Sequence, residues 1–452
     1  MGSTFGGIIQ AGTGLTAANY GMQVVSQNID NASTPGYTRQ ASSQVAVDGV
    51  AGVPTIYTSR AGMGGVAVNA TLRLNDPVLD ARSRAEHSRS AVTANDEAHL
   101  SSIEDVFPEP SDNGLTEQLN KYWNSWAPVG NDPGTAAPRS VLLGTAATVA
   151  STLNAMAASL DEFSGSVEQS MQLTSDEVNQ AATSLGELNR QIAIGRATGT
   201  SVNALLDQRD VLLDQLSTAV GAKLSFNPND TVDVTVGGQT LVSGTTVNAY
   251  AVGTGPTYPI TVGGNPVTVS TGKAASDLKA LTVTVPNYRG QLDAVADKLI
   301  ADTNAAQAAG YDTTGNPGTP MFSGSGAAGI TVAMTSPWDV AASSAPGGNL
   351  DGGNALAASR LGTNPGSADK LYTSLVGEIG QASKLAQQAN TTQSSVTSAV
   401  DDLRTAASGV STDEEISNLL TYQRAYQASS RVLTTMDDML DQLINRTGLV
   451  GR

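Results

Sequence analysis

Both ends of this chain carry an apolar seam in three-four alternation, and each seam must find a helical partner before its apolar face can leave water. Near the start, Ile8, Ala11, Leu15, Ala18, Met22, Val25 and Ile29 occupy the a and d positions of a coiled coil. Near the end, Leu419, Tyr422, Tyr426, Ser429, Leu433, Met436, Leu440 and Leu443 repeat the pattern. The two seams differ in helix strength. Gly6, Gly7, Gly12, Gly14 and Gly21 fall in the first, each costing roughly 1 kcal/mol relative to Ala in a helix interior. No Gly or Pro interrupts 416–447. The first helix is therefore expected to be marginal until its seam is covered, and the second to form a rod of roughly 50 Å. Ser411 or Thr412 can cap the second helix with Glu414 or Glu415 reaching back, and Gly448 can end it.

Between the ends, helical patterns cover 71–106, 114–126, 139–194, 201–220, 287–309 and 367–408. At Lys223 the composition shifts: alternation at Val232, Val234, Val236 and at Leu281, Val283, Val285, with Gly237-Gly238 and Gly263-Gly264 turns, predicts short antiparallel strands. The expected fold class is α+β, an elongated multi-helix bundle and coiled coil built from both chain ends with an inserted antiparallel β domain. Five regions follow. They are a terminal helix and Pro-Gly turn (1–40), a helical part with a β excursion near 41–70 (41–222), the β insert (223–285), a second helical part with a Gly/Pro-rich loop at 310–366 and a strand at 330–334 (286–408), and the C-terminal helix (409–452).

Composition excludes several classes of function. Lys and Arg number 24 against 41 Asp and Glu, and the net charge of −17 repels phosphate backbones and anionic lipid alike, so nucleic acid is not an expected partner. Without cysteine there is no disulfide, thiolate metal site or Cys nucleophile. The first thirty residues lack the basic start and compact apolar block of a secretory signal, so none is expected, and no run is expected to reach the roughly 18 apolar residues of a membrane span.

Nor does a catalytic set assemble. The two histidines, His87 and His99, lie about 3.3 turns apart on one expected polar helix, about 120° around its axis. They cannot share a metal, and both are expected to be solvated surface side chains. Arg73, Arg82, Arg84 and Arg89 read as a solvated face partly paired with Asp76, Asp80 and Glu86 on the same helix. The stretch from Asp312 to Gly318 lacks the acidic ligand spacing of a calcium loop and reads as an Asx-stabilised turn. Arg209, in Leu205-Leu206-Asp207-Gln208-Arg209-Asp210, reads as a clamp between helices. No metal, cofactor or enzyme activity is expected.

The turn after the first helix carries a resemblance. Asn28-Ile29-Asp30-Asn31-Ala32-Ser33-Thr34-Pro35-Gly36-Tyr37-Thr38-Arg39-Gln40 resembles the signature that ends the N-terminal helix of flagellar rod, hook and hook-associated proteins. In it Pro35 stops the helix, Gly36 can take a positive φ and Tyr37 anchors the departing strand. The region from Ser408 to Glu415 with Leu419 to Val432 is similar to the other terminus of the same group. The interior is similar to the first hook-associated protein family in Phe107-Pro108-Glu109-Pro110, Tyr122-Trp123-Asn124-Ser125-Trp126, Pro138 to Leu142 and Asn203 to Asp210, with Asn304, Gly310, Asp312, Gly315 and Phe322 adding to it.

That resemblance implies a non-enzymatic subunit that self-associates in a ring between hook and filament and is required for filament assembly. Its implied partners are the hook protein, a second junction protein on the filament side, and a cytoplasmic export chaperone on the C-terminal helix. It also implies export by the flagellar type III system without signal cleavage and an extracellular place in the flagellum. On this reading Ile8, Leu15, Met22, Val25 and Ile29 form one subunit interface. Leu419, Tyr422, Tyr426, Leu433, Met436, Leu440 and Leu443 form a subunit and chaperone interface, and Asn28, Asn31, Thr34, Pro35, Gly36 and Tyr37 form the signature turn. Another axial subunit of hook or rod is the alternative, although the long helices at 139–220 count against it. A secreted hydrolase or adhesin using the β insert is a more distant one, since 223–285 has no His and few carboxylates.

Overall fold

The structure is a computed structural model that describes residues 4–47, 64–347, 351–442 and 444. Its order is α1 (Thr4–Asp30), β1 (Gln40–Val47), β2 (Gly65–Arg73), α2 (Pro77–Val106), α3 (Leu115–Asn124), α4 (Trp126–Asn131), α5 (Ala136–Thr198) and α6 (Asn203–Val220). Seven short strands follow: β3 (Lys223–Phe226), β4 (Val232–Val236), β5 (Gln239–Ser243), β6 (Thr246–Val247), β7 (Tyr250–Val252), β8 (Ile260–Val262) and β9 (Asn265–Val267). The chain returns through α7 (Lys273–Lys279), α8 (Val285–Ala309), β10 (Phe322–Ser323), α9 (Gly326–Gly329), β11 (Thr331–Val332), α10 (Gly353–Ala358), α11 (Ala368–Ser408) and α12 (Thr412–Asp441). The class is α+β: helices dominate, and the antiparallel sheets β3-β4-β5-β6 and β7-β8-β9 are gathered in the middle.

The 63-residue α5, about 95 Å long at helical rise, is the spine of two successive cores. Its first half buries Leu142, Val149, Leu153 and Leu160 against Leu119, Tyr122 and Trp126, against Leu292 and Leu299 of α8, and against Tyr372 and Leu375 of α11. Its second half buries Val167, Met171, Val178 and Leu185 against Leu213 and Leu216 of α6 and the inward strand residues Val232, Val234, Leu241, Tyr250 and Ile260. Phe163 touches both cores. Contrary to expectation, one 18-residue window of α5 is long and apolar enough to cross a membrane. Of that window 39% is buried; the two cores take up apolar residues such as Leu142, Val149 and Leu153, while Val141, Leu173 and Ile194 of the same helix stay exposed.

Three local readings need correction. Leu281, Val283 and Val285 do not form a strand: residues 280–284 make a π-helical turn leading into α8. A spacing of four also defines one helix face, and Leu281 and Val285 are buried while Val283 points to solvent. Arg73 is not helical but ends β2, and α2 begins only at Pro77, where the Asp76 carboxylate accepts from the amides of Val78 and Leu79. Helix α1 ends at Asp30, five residues before Pro35; Thr34 and Tyr37 donate their amides to Asn31 and Thr34 carbonyls, so a hydrogen-bonded turn stops it. At the other terminus Ser411 caps α12, accepting from the Glu414 amide. Leu443 and Gly448 lie outside the described residues.

Helices α1 and α12 pack side by side in antiparallel register, and the glycines of α1 make this possible. A Cβ on Gly7 would lie 2.7 Å from Met436 Cε, one on Gly14 3.0 Å from Ser429 Oγ, and one on Gly21 2.5 Å from the Tyr422 ring. Seven residues up α1 correspond to seven residues down α12 each time. The glycines that weaken the isolated helix are the points of closest approach. Gly12 has nothing near its missing Cβ.

This distinction predicts opposite outcomes for the same chemical change. Gly12→Ala should stabilise α1 by up to about 1 kcal/mol and slow its amide exchange. Gly21→Ala should push Tyr422 aside and speed exchange in both α1 and α12; equal protection in the two variants would disprove the close-packed register.

Candidate functional site

The signature turn and the start of α12 meet in one buried polar knot, with Asn28 at its centre. Its amide nitrogen donates to the Gln40 carbonyl (2.8 Å) and to Glu415 Oε2 (3.0 Å). Its oxygen accepts from the Tyr37 hydroxyl (2.8 Å) and the Gln40 amide (3.0 Å). Asn28 is 1% exposed, and a buried amide with both its ends bonded fixes position without a desolvation deficit. Asn28 and Glu415 also continue the seven-residue register of Gly7, Gly14 and Gly21.

Glu415 is the only fully buried residue among the described part of α12. Its carboxylate receives Arg39 at 2.7 Å, and Arg39 also binds Glu414 at 2.7 Å. Burial works to lower the Arg39 pKa, but the hydrogen bonds and charge of Glu414 and Glu415 raise it overall. The phenol of Tyr37 is pushed up to about 12, chiefly by burial and then by the Asp207 and Glu415 charges. It therefore stays a donor to Asn28 across the biological pH range. Gly36 takes φ +79°, and its missing Cβ would fall 2.3 Å from Val211 Cγ2 of α6, so only glycine lets the turn sit on the helical body. Asn31 and Thr34 bond to each other within the turn.

Next to this knot lies an ion-pair hub that sequence reasoning missed. Arg73 binds Asp207 (2.7 Å) and Asp210 (2.8 Å) of α6 and donates to the Thr38 hydroxyl. Arg84 of α2 binds Asp214 at 2.7 Å, and Arg404 of α11 binds Asp80 at 2.8 Å and Asp214 at 3.1 Å. Arg73 and Arg84 are thus buried between elements, not a solvated face paired along one helix. Arg209 binds the adjacent Asp210 and the Asp230 carbonyl and lies over the Phe226 ring, so it clamps α6 to the β insert instead of joining two helices. Burial favours protonation of Asp210, but Arg209 and Arg73 override it and hold its pKa below the usual carboxylate range; at Asp207 burial outweighs Arg73 and the pKa rises.

The predicted seam residues divide into two rows. Ala11, Ala18 and Val25 are buried, while Ile8, Leu15, Met22 and Ile29 sit half-exposed along the edge. The contact stripe of α1 is the row one residue earlier, Gly7, Gly14, Gly21 and Asn28, about 100° round the helix. On α12, Leu419, Tyr422, Tyr426, Ser429, Leu433, Met436 and Leu440 are half-buried, each next to exposed neighbours. That is the seam read from the sequence, and here it faces α1 of the same chain.

Neither histidine contributes a metal or catalytic set. His87 meets Asp401 at 2.9 Å. His99 is not a solvated surface group: its side chain is 12% exposed, 2.8 Å from the fully buried Asp277, and edge-on to Phe163. Among the described residues no group of three His, Asp or Glu is arranged to hold a metal. The Asp312 carboxylate accepts from the amides of Thr314 and Asn316, an Asx-type turn as expected. A cleft of about 1040 Å³ beside the hub is lined by Tyr37, His87, Thr174, Lys273, Asp401 and Arg404; His87 there bonds Asp401, and among the described residues no serine or threonine hydroxyl is hydrogen-bonded to His87.

The hub predicts unequal costs for its carboxylates. Asp210→Asn leaves Arg73 and Arg209 facing a neutral group and should destabilise the fold by roughly 3 to 5 kcal/mol, measured by denaturant unfolding, with Asp207→Asn much milder. Because the folded pKa of Asp210 is depressed, its contribution is complete above the unfolded carboxylate range and lost as pH falls through the lower folded value. Wild-type stability should therefore drop more steeply than that of Asp210→Asn below about pH 4; parallel pH profiles would refute the assignment.

Comparison with known proteins agrees with these features. Residues 100–322 match the flagellar hook-associated protein FlgK helical domain, and 404–446 match the flagellar basal body rod FlgEFG protein C-terminal family. The flagellar hook-associated protein 1 of Bacillus subtilis (strain 168) is 29% identical over 100% of both chains. That of Escherichia coli (strain K12) is 23% identical over 97% of this chain and 99% of its own. The flagellar hook junction protein FlgK from Burkholderia pseudomallei shares the fold, with a TM-score of 0.65 and 16% identity over 73% of this chain and 100% of that one. With a helical interior of one hook-associated family, a C-terminus of the flagellar axial type and relatives matched from end to end, the chain belongs to the flagellar hook-associated protein 1 family and is a structural protein of the bacterial flagellum.

Proposed function

We propose that this protein polymerises into the ring that joins hook to filament, that filament assembly requires it, and that it acts without catalytic turnover. The observation that carries this reading is the antiparallel pairing of the two chain ends, which brings both terminal seams to one place and leaves apolar edges uncovered. Ile9 of α1 and Ile416, Leu420, Val432 and Met439 of α12 are each more than 40% exposed, beside the half-exposed row Ile8, Leu15, Met22 and Ile29. Side chains of this kind gain about 1.5 to 3 kcal/mol each on full burial. Packing the paired ends of neighbouring copies edge to edge would supply that burial.

On this reading the chain divides into the five regions read from the sequence, with the strands of the insert ending at Val267 and the insert facing outward. The partners are neighbouring copies, the hook protein on one side and a second junction protein on the other. In the cytoplasm the apolar edge of α12 is a liability, which an export chaperone covers before the chain leaves unprocessed through the flagellar type III channel to its extracellular place. The hook-associated match across 100–322 favours this role over that of a hook or rod subunit.

A strain lacking the protein should make hooks without filaments under the electron microscope, and the wild-type gene should restore them. The decisive variant is Ile416→Asp with Leu420→Asp, which alters the exposed edge and spares the residues that face α1. It should leave α1 and α12 protected from amide exchange yet abolish filaments. Leu433→Asp with Leu440→Asp, within the seam, should in addition lower chaperone affinity more than tenfold by calorimetry. Normal filaments in the edge variant would rule out the paired ends as the polymer contact.

A further inference from the structure

Helix α11 carries a third heptad seam, and this one faces solvent. Leu385, Ala389, Thr392, Val396, Ala399 and Leu403 follow one another at spacings of four and three and are all exposed, the three large ones by 57%, 39% and 52%. The opposite face is occupied. Asn390 donates to Glu97, Gln393 donates to Glu86, and Arg404 pairs with Asp80, all on α2. A strict a/d seam is the pattern of a helix that packs against another helix, and among the described residues nothing in the chain covers this one.

The seam specifies its own partner. It reads the same in both directions about Ser394: Leu385 mirrors Leu403, Ala389 mirrors Ala399, and Thr392 mirrors Val396, which has the same branched shape. An antiparallel coiled coil pairs each a position with a d position of the other helix, and this mirror does so at every layer. Charge points the same way. Each copy carries a net −17, yet between 381 and 400 the only charged residue is Lys384, so like-charged bodies can approach along this face.

We propose that α11 pairs with α11 of a second copy in an antiparallel, two-fold contact centred on Ser394. An isologous contact of this kind closes on itself as a dimer. It is therefore distinct from, and independent of, the head-to-tail contacts a ring needs at the paired ends. Six layers, three distinct ones each repeated by the two-fold and only half of the side chains large, make a short seam, so the dimer is concentration-dependent, and screening of the shared negative charge strengthens it as salt rises.

The absence of native cysteine makes the register directly measurable in the full chain. Thr392→Cys mixed with Val396→Cys should oxidise to a linked pair at least tenfold faster than Leu385→Cys mixed with Thr392→Cys, which are out of register. Sedimentation should show a wild-type dimer that Leu385→Glu with Leu403→Glu weakens at least tenfold while leaving the helical circular dichroism unchanged. Three results would each overturn the proposal: equal linking rates in the two mixtures, a dimer indifferent to the glutamates, or a monomer whose α11 becomes protected only when another flagellar protein is added.

Discussion

The buried carboxylate of Glu415 is the constraint on which the rest depends. A charge with 1% of its residue exposed is tolerable only if cations and donors are in place before water leaves. Arg39 and Asn28 supply them from the far end of the chain. Because Asn28 has used all its other hydrogen-bonding capacity on Tyr37 and Gln40, it can meet Glu415 in one position only. A slip of α12 along α1 by a single turn would strand the carboxylate. The apolar layers of the pair are small, glycine against methionine, serine or tyrosine, and would discriminate poorly between registers by themselves. Polar specificity and apolar cohesion thus come from different residues on the same stripe.

From this knot the order spreads inward through charge. Thr38 and Arg73 stand on either side of the first hairpin, and Arg73 hands the connection to α6 through Asp207 and Asp210. Arg84 and Arg404 bring α2 and α11 to the same helix through Asp214. The hub balances four guanidiniums with four aspartates, and its members come from four elements. Its position explains why the acidic surplus of the chain does not disturb the junction of so many elements: the local sum is neutral.

How much of this could be read from the sequence depended on distance along the chain. The seam of α12 was legible because one stripe is half-buried and everything beside it exposed, which is what periodicity measures. On α1 the same reasoning selected the row beside the contact stripe, because glycine scores as a helix breaker and not as a contact. The knot was half legible, as the turn residues are contiguous while Glu415 is nearly four hundred residues away. The hub was not legible: Arg73 has acidic neighbours at helical spacing, and nothing local reveals that it lies on a strand whose partners are more than a hundred residues on. His99 was misjudged for the same reason, since Asp277 reaches it only through the fold. The strand assigned at 281–285 failed because spacings of two and four cannot be separated over five residues.

Helix α5 passes through both cores without a break, and the β insert is fastened to its distal half. Such a strut has no joint at which to yield between the two. A sideways push on the insert is therefore carried past Phe163 as bending of a single rod and delivered to the aromatic cluster around Tyr122 and Trp126. In the proposed ring, with the insert outward, this would make the outer part of each subunit a lever whose fulcrum is the proximal core, with the stiffness of α5 linking the two.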